Sequence, residues 1–197
     1  MSPLEIVAVV VSFLAIWLTM RRHVLCWPVG LLSVILYAKI FFDAQLYSDT
    51  LLQGCFAVSI LYGWIVWQRN KIESGEVVVA DPSAAALGCG LICGAAGSLL
   101  LGFLMGRYTN AALPWLDAML SSFSLVGQWW TARRYIANWW LWIAVDTVYV
   151  GMFLFKALYL TAGLYAAFTV LAVLGLRAWH GAAARHRQTA AAAPASG

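Results

Sequence analysis

The sequence predicts an all-α membrane protein of seven transmembrane helices, laid out as three helices, one linker helix and three more. Three observations predict it. First, 63% of the residues are hydrophobic and 10% charged, with a mean hydropathy of +0.83. A soluble domain carries about 25% charged residues, so this chain cannot cover a water-facing surface. Second, charge-poor windows recur at 6–20, 24–38, 50–68, 82–106, 118–132, 135–155 and 157–176. Several approach the ~20 residues that span a bilayer as a helix, and helices are the expected form because in lipid they satisfy their own backbone hydrogen bonds.

The third observation is an internal repeat. Residues 5–67 align on 117–179 without a gap at a constant offset of 112, with 15 identities in 63 positions. The matched pairs include Trp17/Trp129, Thr19/Thr131, Arg21/Arg133, Arg22/Arg134, Trp27/Trp139, Tyr37/Tyr149, Gly63/Gly175 and Trp67/Trp179. Self-similarity at a fixed period marks a repeated structural unit. An odd number of spans per unit plus one linker span leaves both units in the same orientation, related by a pseudo-two-fold axis along the membrane normal. Parallel repeats of this kind occur among secondary transporters. The expected segments are 5–67 (first three-helix unit), 68–83 (cytoplasmic connector), 84–106 (linker helix), 114–179 (second unit) and 180–197 (disordered cytoplasmic tail).

The first window is expected to stay in the protein as a helix. It has no positive region before its apolar run, and Arg21 and Arg22 follow that run, which is not the order of a cleavable signal peptide. The linker helix carries Gly90, Gly94, Ser98, Gly102 and Gly106 every four positions, a ridge that lets helix backbones approach closely in lipid. Cys26, Cys55, Cys89 and Cys93 form no CxxC motif and read as small packing residues, with no metal or disulfide expected.

Charge sets the expected orientation. Arg21, Arg22, Arg69, Lys71, Arg133, Arg134, Arg177, Arg185 and Arg187 fall on one side, against Lys39, Arg107 and Lys156 on the other. Cytoplasmic loops carry the Lys/Arg excess, so the N-terminus is expected outside and the C-terminus in the cytoplasm. The net charge of +4 is therefore a topology signal, spread in pairs along one membrane face. No nucleic-acid partner is expected.

The chemistry concentrates on the sixth helix, in the run NWWLWIAVD. Asn138, Trp142, Asp146 and Tyr149 follow at spacings of four, four and three, which puts them on one helix face. Counted from Arg133 and Arg134 at ~1.5 Å per residue, Trp142 lies about 12 Å in and Asp146 about 18 Å in. A mid-bilayer aspartate costs several kcal/mol, so it must face a cavity or a partner. Together Asn138, Trp142 and Asp146 read as a substrate site; the alternative is interhelical bonding to Tyr or Ser hydroxyls. Trp139 and Trp140 read as interfacial belt residues. Further candidates are Gln53 at the start of the third helix, Trp64 with Tyr62 beside it, and Gln128 with Ser121 and Ser124 on nearly the same face. An amide, a carboxylate and tryptophan faces suit a small, flat, polar solute, and tryptophan also attracts an organic cation.

Other classes are disfavoured. A retinal protein needs a lysine in its last helix, and residues 157–176 contain none. An intramembrane protease needs paired aspartates, a Ser/His pair or a zinc motif, whereas Asp146 has no second mid-membrane carboxylate and His23, His180 and His186 lie at or beyond helix ends. No enzyme activity and no cofactor are expected. A transport-free membrane scaffold or receptor remains the competing class.

The stretches QLYSDTLLQ (45–53), YGWIVW (62–67), DAMLSSFSLVGQWWTARRY (117–135) and NWWLWIAVD (138–146) resemble the PnuC family of bacterial vitamin-precursor transporters. The resemblance implies a SWEET-like 3+1+3 fold, a homotrimer in the bacterial inner membrane, and facilitated diffusion of nicotinamide riboside. It also implies functional coupling to a cytosolic kinase that traps the solute by phosphorylation. The family's substrate-binding Asn-x-x-x-Trp matches Asn138 and Trp142, and its third-helix glutamine matches Gln53. Asp146 departs from relatives that carry a neutral amide there, which leaves thiamine, riboflavin or a deoxynucleoside as alternative cargo and proton coupling through Asp146 as an alternative mechanism.

Overall fold

The computed structural model describes residues 3–43, 47–108, 113–155 and 157–192, with backbone only at 47–49 and 190–192. The described residues form seven helices: α1 (Pro3–Met20), α2 (Cys26–Asp43), α3 (Tyr47–Ser74), α4 (Ala84–Tyr108), α5 (Pro114–Ala132), α6 (Ala137–Phe155) and α7 (Tyr159–Ala192). Gln45, Leu46, Lys156 and residues 193–197 of the expected tail lie outside the described residues.

Six of the seven helices are long and apolar enough to cross a membrane; α5 is not. Its sequence explains why. Asp117, Ser121, Ser122, Ser124 and Gln128 make it polar, and nine of its residues are buried. It packs against α3, α4 and α6, so little of its surface needs to meet lipid. At the other extreme, α7 runs 34 residues. At ~1.5 Å per residue that is about 51 Å, against a hydrocarbon core of about 30 Å. The expectation of a disordered tail from residue 180 is corrected: the alanine-rich stretch 181–192 continues the helix, as the high helix propensity of alanine favours.

The packing order explains where a cavity can form. Helix α1 packs on α2, α2 on α3, α3 on α5, α5 on α6, α6 on α7 and α7 on α1, which closes a ring of six. Helix α4 stands outside the ring and packs on α5. Its small-residue ridge makes that contact: a side chain at Gly90, Gly94 or Gly102 would collide with Trp130, Phe123 or Trp115 of α5. The expected packing role of the ridge is what the structure displays. The cysteines are corrected in part. All four are free, and only Cys26 is buried, whereas Cys55, Cys89 and Cys93 are exposed on the outside of the bundle.

Residues 112 apart in sequence repeat each other's geometry. Helices α1 and α5 end on left-handed arginines, Arg22 (φ 55°) and Arg134 (φ 64°). At each, the following amide closes the turn, His23 N–H on Leu18 O and Tyr135 N–H on Trp130 O, a Schellman ending usually given to glycine. A non-glycine residue there costs on the order of 1–3 kcal/mol. Arg22 gains from its position: its guanidinium donates to Val77 O at 2.8 Å and meets Glu76 at 3.5 Å. The connector then crosses to the other arginine turn, where Ala80 N–H donates to Arg134 O and Ala80 bridges Tyr135. This segment straps the two turns together at the basic end of the ring.

Below the strap four tryptophans fill the ring. Trp27 packs edge-on against Trp67 at 5.3 Å and 86°, and Trp139 against Trp179 at 5.5 Å and 86°. All four are at most 2% exposed. Each of Trp27 and Trp139 lies over a glycine, Gly63 and Gly175, whose missing Cβ would sit 2.1 and 2.5 Å from the rings. Trp139 is thus core, and its expected belt role is corrected; Trp140, 61% exposed, fits that role.

Candidate functional site

The ring encloses a cavity of about 750 Å³ that reaches from the tryptophan cluster toward the opposite end. Helix α6 supplies Asn138, Trp142, Asp146 and Tyr149 to one wall, as their spacing predicts. Asn138 is fully buried, and its Nδ2 donates to Tyr135 O while Oδ1 has no protein partner. An unpaired buried acceptor costs about 1–3 kcal/mol. Asp146 is 6% exposed and makes no ion pair among the described residues. Trp142 lays its ring over Gly127 and donates its indole N–H to Thr131 Oγ1 at 3.4 Å.

Helix α5 faces it. Gln128, Ser121 and Ser124 line the cavity, and so does Asp117. The sequence reading missed Asp117, although 117, 121, 124, 128 and 131 follow at spacings of four, three, four and three, and that register could have found it. Gln53 of α3 also lines the cavity. It does not open the helix as expected, since α3 begins at Tyr47 and Gln53 lies more than a turn in. Trp64 packs against the hydrophobic core at the basic end and does not line this cavity. Tyr62 stacks on Trp129 at 5.0 Å and 12°, also outside it.

The rest of the wall mixes aromatic residues with Ser12, Ile16, Thr19, Leu52, Met105, Thr131, Met152 and Ala172. Tyr149 stacks on Phe153 at 5.8 Å and meets Tyr165 of α7 at 4.5 Å, and Phe41, Phe56, Phe168 and Trp139 also line the cavity. Sequence pattern gives the face of one helix but not which faces of six meet, so these went unnoticed. No group of three or more His, Cys, Asp or Glu that could hold a metal occurs among the described residues. The lining carries two carboxylates and, among the described residues, no lysine, arginine or histidine. The result is a partly open, ring-lined chamber with amides, hydroxyls and two carboxyl groups. Such a chamber can hold a flat neutral or cationic solute.

Residues 2–181 match the family described as nicotinamide mononucleotide transporter. The chain belongs to that family, which includes PnuC. It is 26% identical over 204 residues to the nicotinamide riboside transporter PnuC of Escherichia coli (strain K12), covering 91% of this chain and 85% of that protein. It is equally 26% identical over 178 residues to the riboflavin/roseoflavin transporter RibM of Streptomyces davaonensis, covering 89% and 83%. The fold is that of the crystal structure of the vitamin B3 transporter PnuC, with a TM-score of 0.74 and 23% identity over 93% of this chain and 83% of that one. A multi-pass membrane transporter of the PnuC family therefore carries the ring, the strap and the chamber described above.

Proposed function

We propose that the chain facilitates diffusion of nicotinamide riboside into the cytoplasm, where phosphorylation by a kinase traps it. The observation that carries this reading is the chamber face built from Asn138, Trp142 and Asp146 in a wall without a described cation. Trp142 stacks on the pyridinium ring, worth ~2 kcal/mol or more when desolvated. Asn138 Oδ1 accepts from the carboxamide or a ribose hydroxyl, and Asp146 offsets the ring's positive charge. Gln53, Gln128 and Tyr149 complete the polar and aromatic contacts. The same chemistry favours the nucleoside over its 5′-phosphate, despite the mononucleotide in the family's description.

The two three-helix units, α1–α3 and α5–α7, act as the halves of a SWEET-like 3+1+3 bundle that rocks about the chamber. The Lys/Arg excess at the strapped end supports a cytoplasmic C-terminus and an external N-terminus in a bacterial inner membrane, and the family resemblance supports a homotrimer. One relative named for riboflavin and roseoflavin, as similar as the PnuC relative, keeps a second vitamin in view. Competition decides between them. Uptake of labelled nicotinamide riboside into proteoliposomes is expected to fall with unlabelled nicotinamide riboside and not with its mononucleotide, thiamine or riboflavin. Stronger competition by riboflavin overturns the assignment of cargo.

A further inference from the structure

Trp142 owes its place to two residues of the facing helix. Gly127 leaves room for the ring: a Cβ there would lie 3.1 Å from Trp142 Cε2 and 3.3 Å from Cζ2. Thr131, one turn further on, holds the ring's polar edge, because its Oγ1 accepts from Trp142 Nε1 at 3.4 Å while donating to Gly127 O at 2.9 Å. The hydroxyl is therefore oriented by the glycine's carbonyl and presents a lone pair to the indole. Thr131 is 6% exposed, so water does not replace it freely.

The other half of the molecule supplies an internal comparison. Thr19 stands 112 residues before Thr131 and makes the same backbone bond, Oγ1 to Ala15 O at 2.8 Å. The position matching Trp142 is Gly30, beside which a Cβ would meet nothing closer than 3.8 Å. The hydroxyl is present in both halves, but a tryptophan stands against it in one alone.

We infer that Gly127 and Thr131 are positioning residues that fix the plane of Trp142 and so set the width of the slot into which the solute's ring slides. The inference rests on the proposal that Trp142 stacks on the solute. Neither residue contributes a bond to the solute; both act through the indole. A methyl at position 127 pushes the ring a few tenths of an ångström into the chamber, which narrows the slot. Loss of the hydroxyl at 131 frees the ring to tilt.

The test is transport kinetics in proteoliposomes with labelled nicotinamide riboside for Gly127→Ala, Thr131→Val, Thr131→Ser, Thr19→Val and Trp142→Ala, each first checked for monodisperse elution. Thr131→Val is expected to raise KM about three- to tenfold, the range of one net hydrogen bond, with the maximal rate within about twofold of the parent. Thr131→Ser restores KM, and Thr19→Val raises it less than Thr131→Val does. Gly127→Ala raises KM for a fused-ring competitor more than for the single pyridinium ring. If Trp142→Ala raises KM while Gly127→Ala and Thr131→Val leave it at the parent's value, the inference is overturned and the stacking reading stands. If Trp142→Ala leaves KM unchanged, the stacking reading itself falls. Equal effects of Thr19→Val and Thr131→Val would mean helix packing alone, and would also overturn the inference.

Discussion

Trp67 and Trp179 donate their indole N–H groups across the molecule to matching carbonyls: Trp67 to Thr131 O at 3.1 Å and Trp179 to Thr19 O at 3.2 Å. Each bond ties one half to the other, and the rings themselves meet at 5.9 Å. Reciprocal bonds of this kind follow if two equivalent units face each other across an axis. They also close the ring of helices at the strapped end, so any opening there must break them.

Removing one N–H while keeping an aromatic six-membered ring tests the bond. Trp67→Phe and Trp179→Phe are each expected to lower stability by about 1–3 kcal/mol, the loss of one net hydrogen bond together with some lost ring volume, since each carbonyl still accepts from the arginine turn's backbone N–H. The double variant should lose roughly the sum or more, since the rings touch. Thermal unfolding in detergent measures this. One variant neutral and the other severe would contradict the equivalence of the two halves.

Glycines 63 and 175 are the next test. Alanine at either would place a carbon inside the contact distance of Trp27 or Trp139, and overpacking of this kind costs typically 1–3 kcal/mol, occasionally more. Gly54 and Gly151, with nothing within 4 Å, should accept alanine with no loss, or with a gain from better helix propensity. The melting temperatures of the four variants give the comparison directly.

The strap separates two interactions of one side chain. Glu76 is 58% exposed, and exposed ion pairs contribute about 0–1 kcal/mol, so Glu76→Gln should be nearly silent. Arg22→Ala also strands the Val77 carbonyl, and Val77 is 3% exposed. It should be the more destabilising of the two, and an equal loss from both would show that the ion pair dominates.

Much of this was legible before any coordinates. Asn138, Trp142, Asp146 and Tyr149 were readable because helical spacing alone puts them on one face, and a carboxylate in an apolar span needs a cavity. The placement of Trp64 away from this cavity was not legible, for the converse reason. Its neighbour Tyr62 and its helix looked similar, but which face of α3 turns inward is set by packing against α2 and α5, and composition does not encode it. Trp139 looked like a belt residue because it lies near the arginines; the glycine that receives it, Gly175, is 36 positions away in sequence. Asp117 is legible from its helical register with Ser121, Ser124 and Gln128.

Asp146 distinguishes two mechanisms. If it serves as counter-charge to a cationic ring, Asp146→Asn should weaken binding of nicotinamide riboside about tenfold or more, ~1.4 kcal/mol, and leave a neutral reduced-ring analogue nearly unaffected. Uptake should not follow an imposed pH gradient in either protein. Calorimetry with both ligands and uptake with and without the gradient check each half of the claim. Gradient-driven uptake that Asp146→Asn abolishes would replace the facilitator with a proton-coupled carrier.

The central claim is passive transport of nicotinamide riboside by this chain alone, and counterflow in kinase-free proteoliposomes tests it most directly. Vesicles loaded with unlabelled nicotinamide riboside should take up labelled solute transiently, and empty vesicles should fill only to the outside concentration. Absence of counterflow, or accumulation above the outside concentration without a kinase, would contradict the account.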